Sequence, residues 1–597
     1  MKLIEVFITF TVFTSFVECL QVEFEKNTTP EIWDPKTLHE TLFTVLIQSN
    51  RTKLLEDVVN GVDSSMTCHA CQLTIDVGLK LLFSEKEFSV LFSAVCELLK
   101  IEVSSVCKGL SALYSPQLFY IFKHTKLSAK EMCSLLIGPN CLPKQDYMKS
   151  QSFWQLDIST KNKTSQANAG LYKQFQTGWI PSLHPPPLLR AAVRRVLHLS
   201  DVHVDPNYSQ GKFANCDEPL CCNDDSTGNA HSTIAGYWGS YGKCDNPAHT
   251  IDAALSYVSE SEQFDYVMYT GDISPHRIWN ISRSEVMNNA RYVTNLFAKY
   301  FPNTKFFFPV VGNHESVPVN MFPPPESSNP FSMNWLFDEL YNQWQRWIPE
   351  SSAQTFKYGG YFSRNVTRQL RVIVLNTNFC ARLNFWQLLN ANDPGKQLKW
   401  LSQELQSAED ARQSVHIIGH IAPDRLQCSV VWLHNYLRIL ERYNETIKAQ
   451  FFGHTHFDEI RIYESPSTKQ AMSVAFIGGS LTTYENVNPM FRTYSLGDKS
   501  VIDDFETFYF NLSLANAIGS KRPPVWIKEY SAKRDYNMKS LLPSQFDSFL
   551  RNMRTNNSLF NKYYNHYTRH SDAWPKVCDD HCKNNILNLV SVSDPIL

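Results

Sequence analysis

The sequence predicts a multidomain protein in which a small all-α, disulfide-linked bundle precedes an α/β domain and a C-terminal subdomain. Three observations carry this prediction: cysteines clustered in helical sequence, a proline-rich segment after them, and short apolar strands that recur beyond residue 193. A chain of 597 residues is also too long for one hydrophobic core. The expected boundaries are 1–19 for a signal peptide, 62–145 for the bundle, 146–192 for a linker, 193–500 for the α/β domain and 501–597 for the subdomain.

The N-terminus has the features of a secretory signal peptide. Lys2 precedes an apolar run, Leu3 to Val17, that carries one charge, and cleavage is expected near Cys19. A membrane anchor is the alternative, but the run is short for a transmembrane span. Nine N-x-S/T sequons agree with export to the lysosome or the cell exterior, and glycans are expected at Asn162, Asn280, Asn365, Asn444 and Asn511.

The first six cysteines after the signal lie in helical sequence. In CHACQLTIDVGLKLLF, one helical stripe carries Cys68, Cys71, Ile75, Leu79 and Leu82. C-x-x-C also occurs in redox and zinc sites, but no strand pattern precedes this one. The order of the cysteines resembles a saposin domain, which implies a lipid-binding helical bundle; a spacer without a lipid role is the alternative. The resemblance implies the disulfides Cys68–Cys141, Cys71–Cys133 and Cys96–Cys107.

The segment that follows the bundle changes in character. TGWIPSLHPPPLLR holds four prolines between Pro181 and Pro187. This composition favours extended polyproline II geometry, so we interpret the segment as a semi-rigid linker between two folded parts.

Beyond Val193, polar residues follow apolar segments of strand length at five places. These strand ends are Asp201-x-His203, Gly271-Asp272, Gly312-Asn313-His314-Glu315, Gly419-His420 and Gly453-His454-x-His456. Sites in α/β sheets form where strands end, so these side chains are expected to converge. Residues i and i+2 of an extended segment share a face, so the first pair can reach one ion together. Each motif alone is weak, but the five in this order predict a metal site.

The five motifs together resemble the calcineurin-like metallophosphatase superfamily. The resemblance implies an α/β sandwich holding two divalent metal ions; nitrogen and oxygen donors suit zinc, iron or manganese, and zinc is our prediction. A hydroxide between the ions is the expected nucleophile in an in-line attack on phosphorus. The implied ligands are Asp201, His203, Asp272 and His456 for one ion, and Asp272, Asn313, His420 and His454 for the other.

The helical module, the linker and the metal motifs in this order resemble the acid sphingomyelinase family over nearly all of the mature chain. Stretches such as DPGKQLKWLSQELQSAED and RYNETIKAQFFGHTHFDE carry the likeness. The resemblance implies hydrolysis of sphingomyelin, in membranes or lipoproteins, to ceramide and phosphocholine. An amphipathic helical module can bind an anionic membrane surface, and a net charge of −2 gives no reason to expect nucleic acid as a partner.

Three further residues are candidates for roles beside the metals. The superfamily resemblance implies that His314 stabilises charge or protonates the leaving oxygen. His276 is predicted to be catalytic as well, because a lipid alkoxide leaves poorly without a proton donor; a loop histidine without a role is the alternative. Tyr484 is predicted to contact the substrate head group, and the alternative is a packed aromatic residue in a turn.

The remaining cysteines are expected to form disulfides, because the chain is predicted to be exported. A zinc cluster among the four between residues 216 and 244 is the alternative. Together with the saposin resemblance, export favours the pairs Cys216–Cys221, Cys222–Cys244, Cys380–Cys428 and Cys578–Cys582.

Two other functions stay open at the level of sequence. One is a nucleotide or other small-molecule phosphodiesterase of the sphingomyelinase-like type, although such relatives generally lack the saposin module. The other is a lipid-binding protein whose catalytic domain has decayed, although decay normally removes a metal ligand first and every ligand is present.

Overall fold

The computed structural model describes residues 84–98, 100–136, 148–159, 195–228, 233–326 and 330–596, together with residues 68, 71, 72, 75, 141, 142 and 146. The expected signal peptide at residues 1–19 and residues 160–192 of the expected linker, which include Asn162, lie outside the described residues. Among the helices that are described, none combines the length and the apolar character needed to cross a bilayer.

The described part of the N-terminal region is helical. Its helices are α1 (Glu85–Leu98), α2 (Ser104–His124) and α3 (Ala129–Leu136). Phe88, Phe92 and Val95 follow one another at helical spacing on α1, and all three are buried. Disulfide bonds join Cys68 to Cys141, Cys71 to Cys133 and Cys96 to Cys107.

The α/β domain alternates strands with helices. Its strands are β1 (Arg195–Leu199), β2 (Tyr266–Tyr269), β3 (Phe307–Pro309), β4 (Phe362–Asn365), β5 (Leu370–Val374), β6 (Ser414–Ile418), β7 (Ile447–Phe452), β8 (Glu459–Glu464), β9 (Ala471–Ile477), β10 (Met490–Leu496), β11 (Ile502–Phe510), β12 (Trp526–Ser531) and β13 (Ser591–Val592). Its helices are α4 (Ala248–Ser261), α5 (Arg283–Tyr300), α6 (Asn334–Trp344), α7 (Ala353–Gly359), α8 (Gln397–Asp410), α9 (Val430–Arg442), α10 (Leu512–Ile518), α11 (Ala532–Asp535), α12 (Pro543–Thr555), α13 (Asn557–Tyr567) and α14 (Asp580–Val590).

The strands form two sheets that share one core. The first sheet has the order β12-β11-β10-β1-β2-β3, and the second has the order β13-β8-β9-β7-β6-β5-β4. Strands β1, β2 and β3 run parallel, as do β5, β6 and β7. All residues of β2 and β6 are buried, as expected for parallel strands covered on both faces. The Tyr266 hydroxyl of β2 lies 2.7 Å from Nδ1 of His416 on β6, so it links the two sheets directly.

The C-terminal segment, where a subdomain is expected at 501–597, contributes strands to both sheets. Strand β11 pairs antiparallel with β10 and with β12 in the first sheet. Strand β13 pairs in parallel with β8 in the second sheet. The aromatic residues of this segment pack into the main core, among them Phe505, Phe510 and Tyr530. The boundary expected after residue 500 therefore falls between two paired strands.

The helical region packs closely against the α/β domain through α2. The indole Nε1 of Trp386 donates to Gln117 Oε1 of α2 at 2.7 Å. A Cβ atom on Gly109 of α2 would lie 2.3 Å from the carbonyl oxygen of Trp279, in the loop after β2. Because glycine has no Cβ, it allows this approach of helix and loop.

We expect Gly109→Ala to destabilise the protein although alanine is the better helix former. Helix propensity alone would stabilise the alanine variant by about 1 kcal/mol, whereas overpacking of this kind costs about 1–3 kcal/mol. Gly497→Ala is the matched control, because the nearest neighbour of its new Cβ would be at 3.7 Å. Urea and thermal unfolding should show a loss of stability for Gly109→Ala alone, and a stabilised Gly109→Ala variant would contradict the close contact.

Candidate metal centre

The seven predicted ligands lie on the loops that follow β1, β2, β3, β6 and β7, and many of them have an unusual backbone. Residues other than glycine seldom adopt a positive φ, and each instance costs on the order of 1–3 kcal/mol. Such conformations concentrate at functional sites, where the surrounding structure holds them. Five of the seven have positive φ: Asp201 (48°), His203 (35°), Asp272 (65°), His454 (75°) and His456 (66°).

Hydrogen bonds between the loops hold these conformations. The backbone N–H of Asp201 donates to the Gly271 carbonyl at 3.0 Å. The backbone N–H of His454 lies 3.1 Å from the Asp201 carboxylate and donates to it, which joins the loops after β1 and β7. The Glu315 carboxylate accepts from the backbone N–H groups of Gly312 at 2.6 Å and Ile273 at 2.7 Å, which joins the loops after β2 and β3.

One group of ligand atoms surrounds the imidazole of His203. Its Nε2 lies 3.2 Å from Nε2 of His456 and 3.5 Å from Oδ2 of Asp272. Oδ1 of Asp201 lies 4.0 Å from Nε2 of His203 and 3.8 Å from Nε2 of His456. All four residues are buried, so their donor atoms face one another rather than solvent.

A second group of ligand atoms surrounds the imidazole of His420. Its Nε2 lies 3.2 Å from Nδ1 of His454, 2.8 Å from Oδ1 of Asn313 and 3.1 Å from Oδ2 of Asp272. The same oxygen of Asp272 therefore belongs to both groups. This is the position that a carboxylate bridging two cations would occupy.

Backbone carbonyls orient the imidazoles for metal binding. Nδ1 of His203 lies 2.7 Å from the Ser274 carbonyl, and Nδ1 of His420 lies 2.7 Å from the Thr270 carbonyl. Each Nδ1 therefore donates its proton to the carbonyl, and a metal bound at Nε2 would take the place of the second ring proton.

The spacing of the nitrogen atoms fits a metal ion. A tetrahedral zinc with Zn–N bonds of about 2.0–2.1 Å holds two nitrogen ligands about 3.3 Å apart. The two histidine pairs, His203 with His456 and His420 with His454, are each separated by 3.2 Å. The donors thus fit two metal ions that share Asp272.

Electrostatics in the site also favour bound cations. Burial raises the pKa of the Asp201 carboxyl to about 7, and burial raises the pKa of Glu315 to about 7 as well. For Asp272, burial opposes ionisation, but His420 and His314 lower its pKa well below the usual range. Acidic groups are therefore concentrated where water does not stabilise their charge, and divalent cations would supply the missing compensation.

His276 lies beside the first group of ligands and is held by a carboxylate and an aromatic ring. Its Nδ1 lies 2.9 Å from Oδ1 of Asp245, and its ring stacks on Tyr484 with centroids 3.8 Å apart. Its ring centroid is 4.2 Å from that of His203. Burial opposes protonation of His276, but the surrounding carboxylates, Asp245 foremost, raise its pKa above the usual value.

Tyr484 and His314 complete the surroundings of His276. The Tyr484 hydroxyl donates to the Pro219 carbonyl at 2.8 Å, so this ring orients His276 whether or not it also contacts a head group. The His314 ring lies 4.6 Å from that of His276 and 4.8 Å from that of His203, centroid to centroid. Burial lowers the pKa of His314 to about 4, which makes it a neutral imidazole at the same site.

Two residues of this site were not identified as functional from the sequence. Asp245 follows Cys244 in the segment KCDN, and no strand end or motif indicates that its carboxylate faces His276. Glu315 stands inside the motif Gly312-Asn313-His314-Glu315, so its position was available, but its role as an acceptor for three loop N–H groups depends on the folded backbone.

The remaining predicted sites are sequons and disulfides. Of the sequons, Asn280, Asn365 and Asn444 are exposed, and Asn511 is half-buried at the start of α10. Four further disulfides are present in the α/β domain: Cys216–Cys221, Cys222–Cys244, Cys380–Cys428 and Cys578–Cys582.

Comparison with known proteins agrees with this geometry. Residues 194–458 match the family described as calcineurin-like phosphoesterase, and residues 470–594 match the acid sphingomyelin phosphodiesterase C-terminal region. The sphingomyelin phosphodiesterases of Bos taurus and Homo sapiens are each 36% identical over 84% of this chain, and the alignments cover 78% and 77% of those proteins. The human cyclic GMP-AMP phosphodiesterase SMPDL3A is 28% identical over 69% of this chain and 90% of its own length.

We expect Asp272→Asn to remove both metal binding and activity, because Asp272 alone lies in both groups of ligand atoms. The loss of metal affinity and activity should exceed the 10–100-fold loss that is typical when a residue hydrogen-bonded to a metal ligand is mutated. Asp393→Asn is the matched control, since the Asp393 carboxylate accepts N–H groups at the start of α8 and is not a predicted ligand. Elemental analysis and turnover measured on the same samples would test this prediction. An active Asp272→Asn protein with a full metal complement would refute the bridging role.

Proposed function

Because the chain belongs to the acid sphingomyelinase family, we propose that it hydrolyses sphingomyelin to ceramide and phosphocholine as a two-metal phosphodiesterase. The observation that carries this proposal is the convergence of seven metal-ligand side chains beside the Asp245–His276 pair. The metal-ligand side chains support hydrolysis of a phosphate ester, and membership of the family supports sphingomyelin as the substrate.

We assign the metals as zinc. Imidazole nitrogens dominate the donor set, and their 3.2 Å separations match tetrahedral zinc. Bound there, two such ions would polarise the phosphoryl group and lower the pKa of a water molecule, so that hydrolysis needs no nucleophilic side chain.

The chain's own residues supply the proton for the leaving group. Asp245 accepts the Nδ1 proton of His276, which fixes the imidazole orientation and stabilises its protonated form. The Nε2–H of the protonated ring then donates to the ceramide oxygen as its bond to phosphorus breaks. His314, neutral and packed at the same site, faces the developing charge on the phosphoryl oxygens.

The N-terminal helices are proposed to bring the catalytic domain to its lipid. Three disulfides link a small bundle with the cysteine order of a saposin-like domain. Such a bundle can contact an anionic membrane surface through an apolar face, and sphingomyelin would be reached in membranes or lipoproteins. The seven disulfides among the described residues are typical of the secreted or lysosomal compartment that we propose.

A substrate comparison tests the proposed reaction. We expect purified protein to release ceramide and phosphocholine from sphingomyelin in mixed vesicles, and to lose this activity when a chelator removes its metal. A cyclic dinucleotide and a nucleotide phosphodiester serve as the alternative substrates. Hydrolysis of these alone would overturn the assignment to sphingomyelin, and inactivity on every ester would indicate a lipid-binding protein.

The role of His276 predicts a dependence on the leaving group. We expect His276→Ala to slow sphingomyelin hydrolysis by about 10²–10⁴-fold. Hydrolysis of bis(p-nitrophenyl) phosphate should fall far less, because p-nitrophenolate leaves without a proton. Asp245→Asn should show the same preference with a smaller loss, and both variants should retain their metal. Equal losses on the two substrates would show that His276 is not the proton donor.

A further inference from the structure

Arg569 is a buried arginine in the turn after α13, remote in sequence from every metal ligand. It is fully buried, and its φ of 54° is positive. The backbone N–H of Arg569 donates to the His566 carbonyl at 2.9 Å, and the Asn488 side chain donates to the Arg569 carbonyl at 2.9 Å. The backbone N–H and carbonyl of Arg569 are thus both hydrogen-bonded, and its guanidinium points toward the loop after β7.

The guanidinium of Arg569 is bound to carbonyls rather than to a carboxylate. Nη2 donates to the carbonyl of the metal ligand His456 at 2.8 Å, and Nη1 donates to the Ser480 carbonyl at 2.6 Å. Two other buried arginines, Arg461 and Arg492, instead pair with Asp and Glu side chains. Burying a guanidinium without a carboxylate in direct contact is costly, although Glu529 and Asp458 offset part of this cost at longer range.

The segment 480–484, which Arg569 joins to His456, contacts the loops after β1 and β7 and the Asp245–His276 pair. The backbone N–H of Ser480 donates to the His456 carbonyl at 3.2 Å, and that of Thr482 donates to the Asp201 carbonyl at 2.9 Å. The Thr482 hydroxyl donates to Oδ1 of Asp245 at 3.1 Å. Tyr484, at the end of the segment, stacks on His276.

We propose that Arg569 is a positioning residue that fixes His456 as a metal ligand by clamping its carbonyl to segment 480–484. The His456 backbone has a positive φ of 66°. Charge-assisted hydrogen bonds hold the His456 carbonyl through Nη2 and the Ser480 carbonyl through Nη1. Arg569 thereby sets the distance between His456 and the Asp201 loop, which segment 480–484 also binds. This inference rests on the proposed two-metal function.

Zinc affinity measures this role directly. We would titrate metal-free wild-type protein and the variants Arg569→Met and Arg569→Lys with zinc against a chromogenic chelator, in the absence of lipid. We expect Arg569→Met to lose about 10–100-fold in affinity at one of two zinc sites while the other is retained. Arg569→Lys should fall between Arg569→Met and wild type, because an ammonium lacks the planar fork with which the guanidinium binds the two carbonyls through separate nitrogens.

Arg364→Met is the matched control, since Arg364 also donates to a backbone carbonyl, that of Trp347, away from the ligand loops. It should bind both zinc ions as wild type does, even if its melting temperature falls. If Arg569→Met binds both zinc ions with wild-type affinity, the positioning role is overturned, even if the melting temperature of the variant is lower. If Arg569→Met fails to fold, wild-type affinity in Arg569→Lys overturns it equally.

The same titration separates this inference from the proposed function. A wild-type protein that binds two zinc ions but does not hydrolyse sphingomyelin would overturn the substrate and leave the Arg569 role to be decided by its variants. A wild-type protein that binds no divalent cation would overturn both.

Discussion

The close approach of imidazole nitrogens around a shared carboxylate is the constraint on which the rest of the structure depends. His203 faces His456, and His420 faces His454, with the nitrogens of each pair 3.2 Å apart. Burial lowers the pKa of His203, His454 and His456, so a cation between the nitrogens would stabilise this arrangement. The strained backbone of five ligand residues and the acceptor groups behind the imidazoles both serve to maintain it.

The two sheets explain how this arrangement is built. Parallel strands deliver their carboxyl ends to one region, so residues separated by more than 250 positions, such as His203 and His456, come into contact. The integration of β11, β12 and β13 into these sheets means that the C-terminal segment also supports the site. Arg569 is the most direct link, since it reaches the carbonyl of a ligand residue.

The sequence predicted the strand ends because each places polar residues directly after an apolar run, and the five together indicate one site although each alone is weak evidence. It did not predict the role of Asp245, because the carboxylate is brought to His276 by a loop with no periodicity, next to a cysteine that indicated only a disulfide. The sequence also did not indicate that the C-terminal segment joins both sheets, because β13 pairs with β8, which is distant in the chain. Arg569 was not identified for the same reason, since its acceptors are backbone carbonyls, which leave no trace in a sequence.

The central claim is that these seven side chains bind two metal ions that share Asp272. Anomalous X-ray diffraction at the zinc edge, from crystals of fully active protein, tests it most directly. The structure predicts two peaks about 3.5–4 Å apart, one beside Asp201, His203 and His456, the other beside Asn313, His420 and His454. A single peak, a peak coordinated by His276, or no peak in active protein would contradict the account.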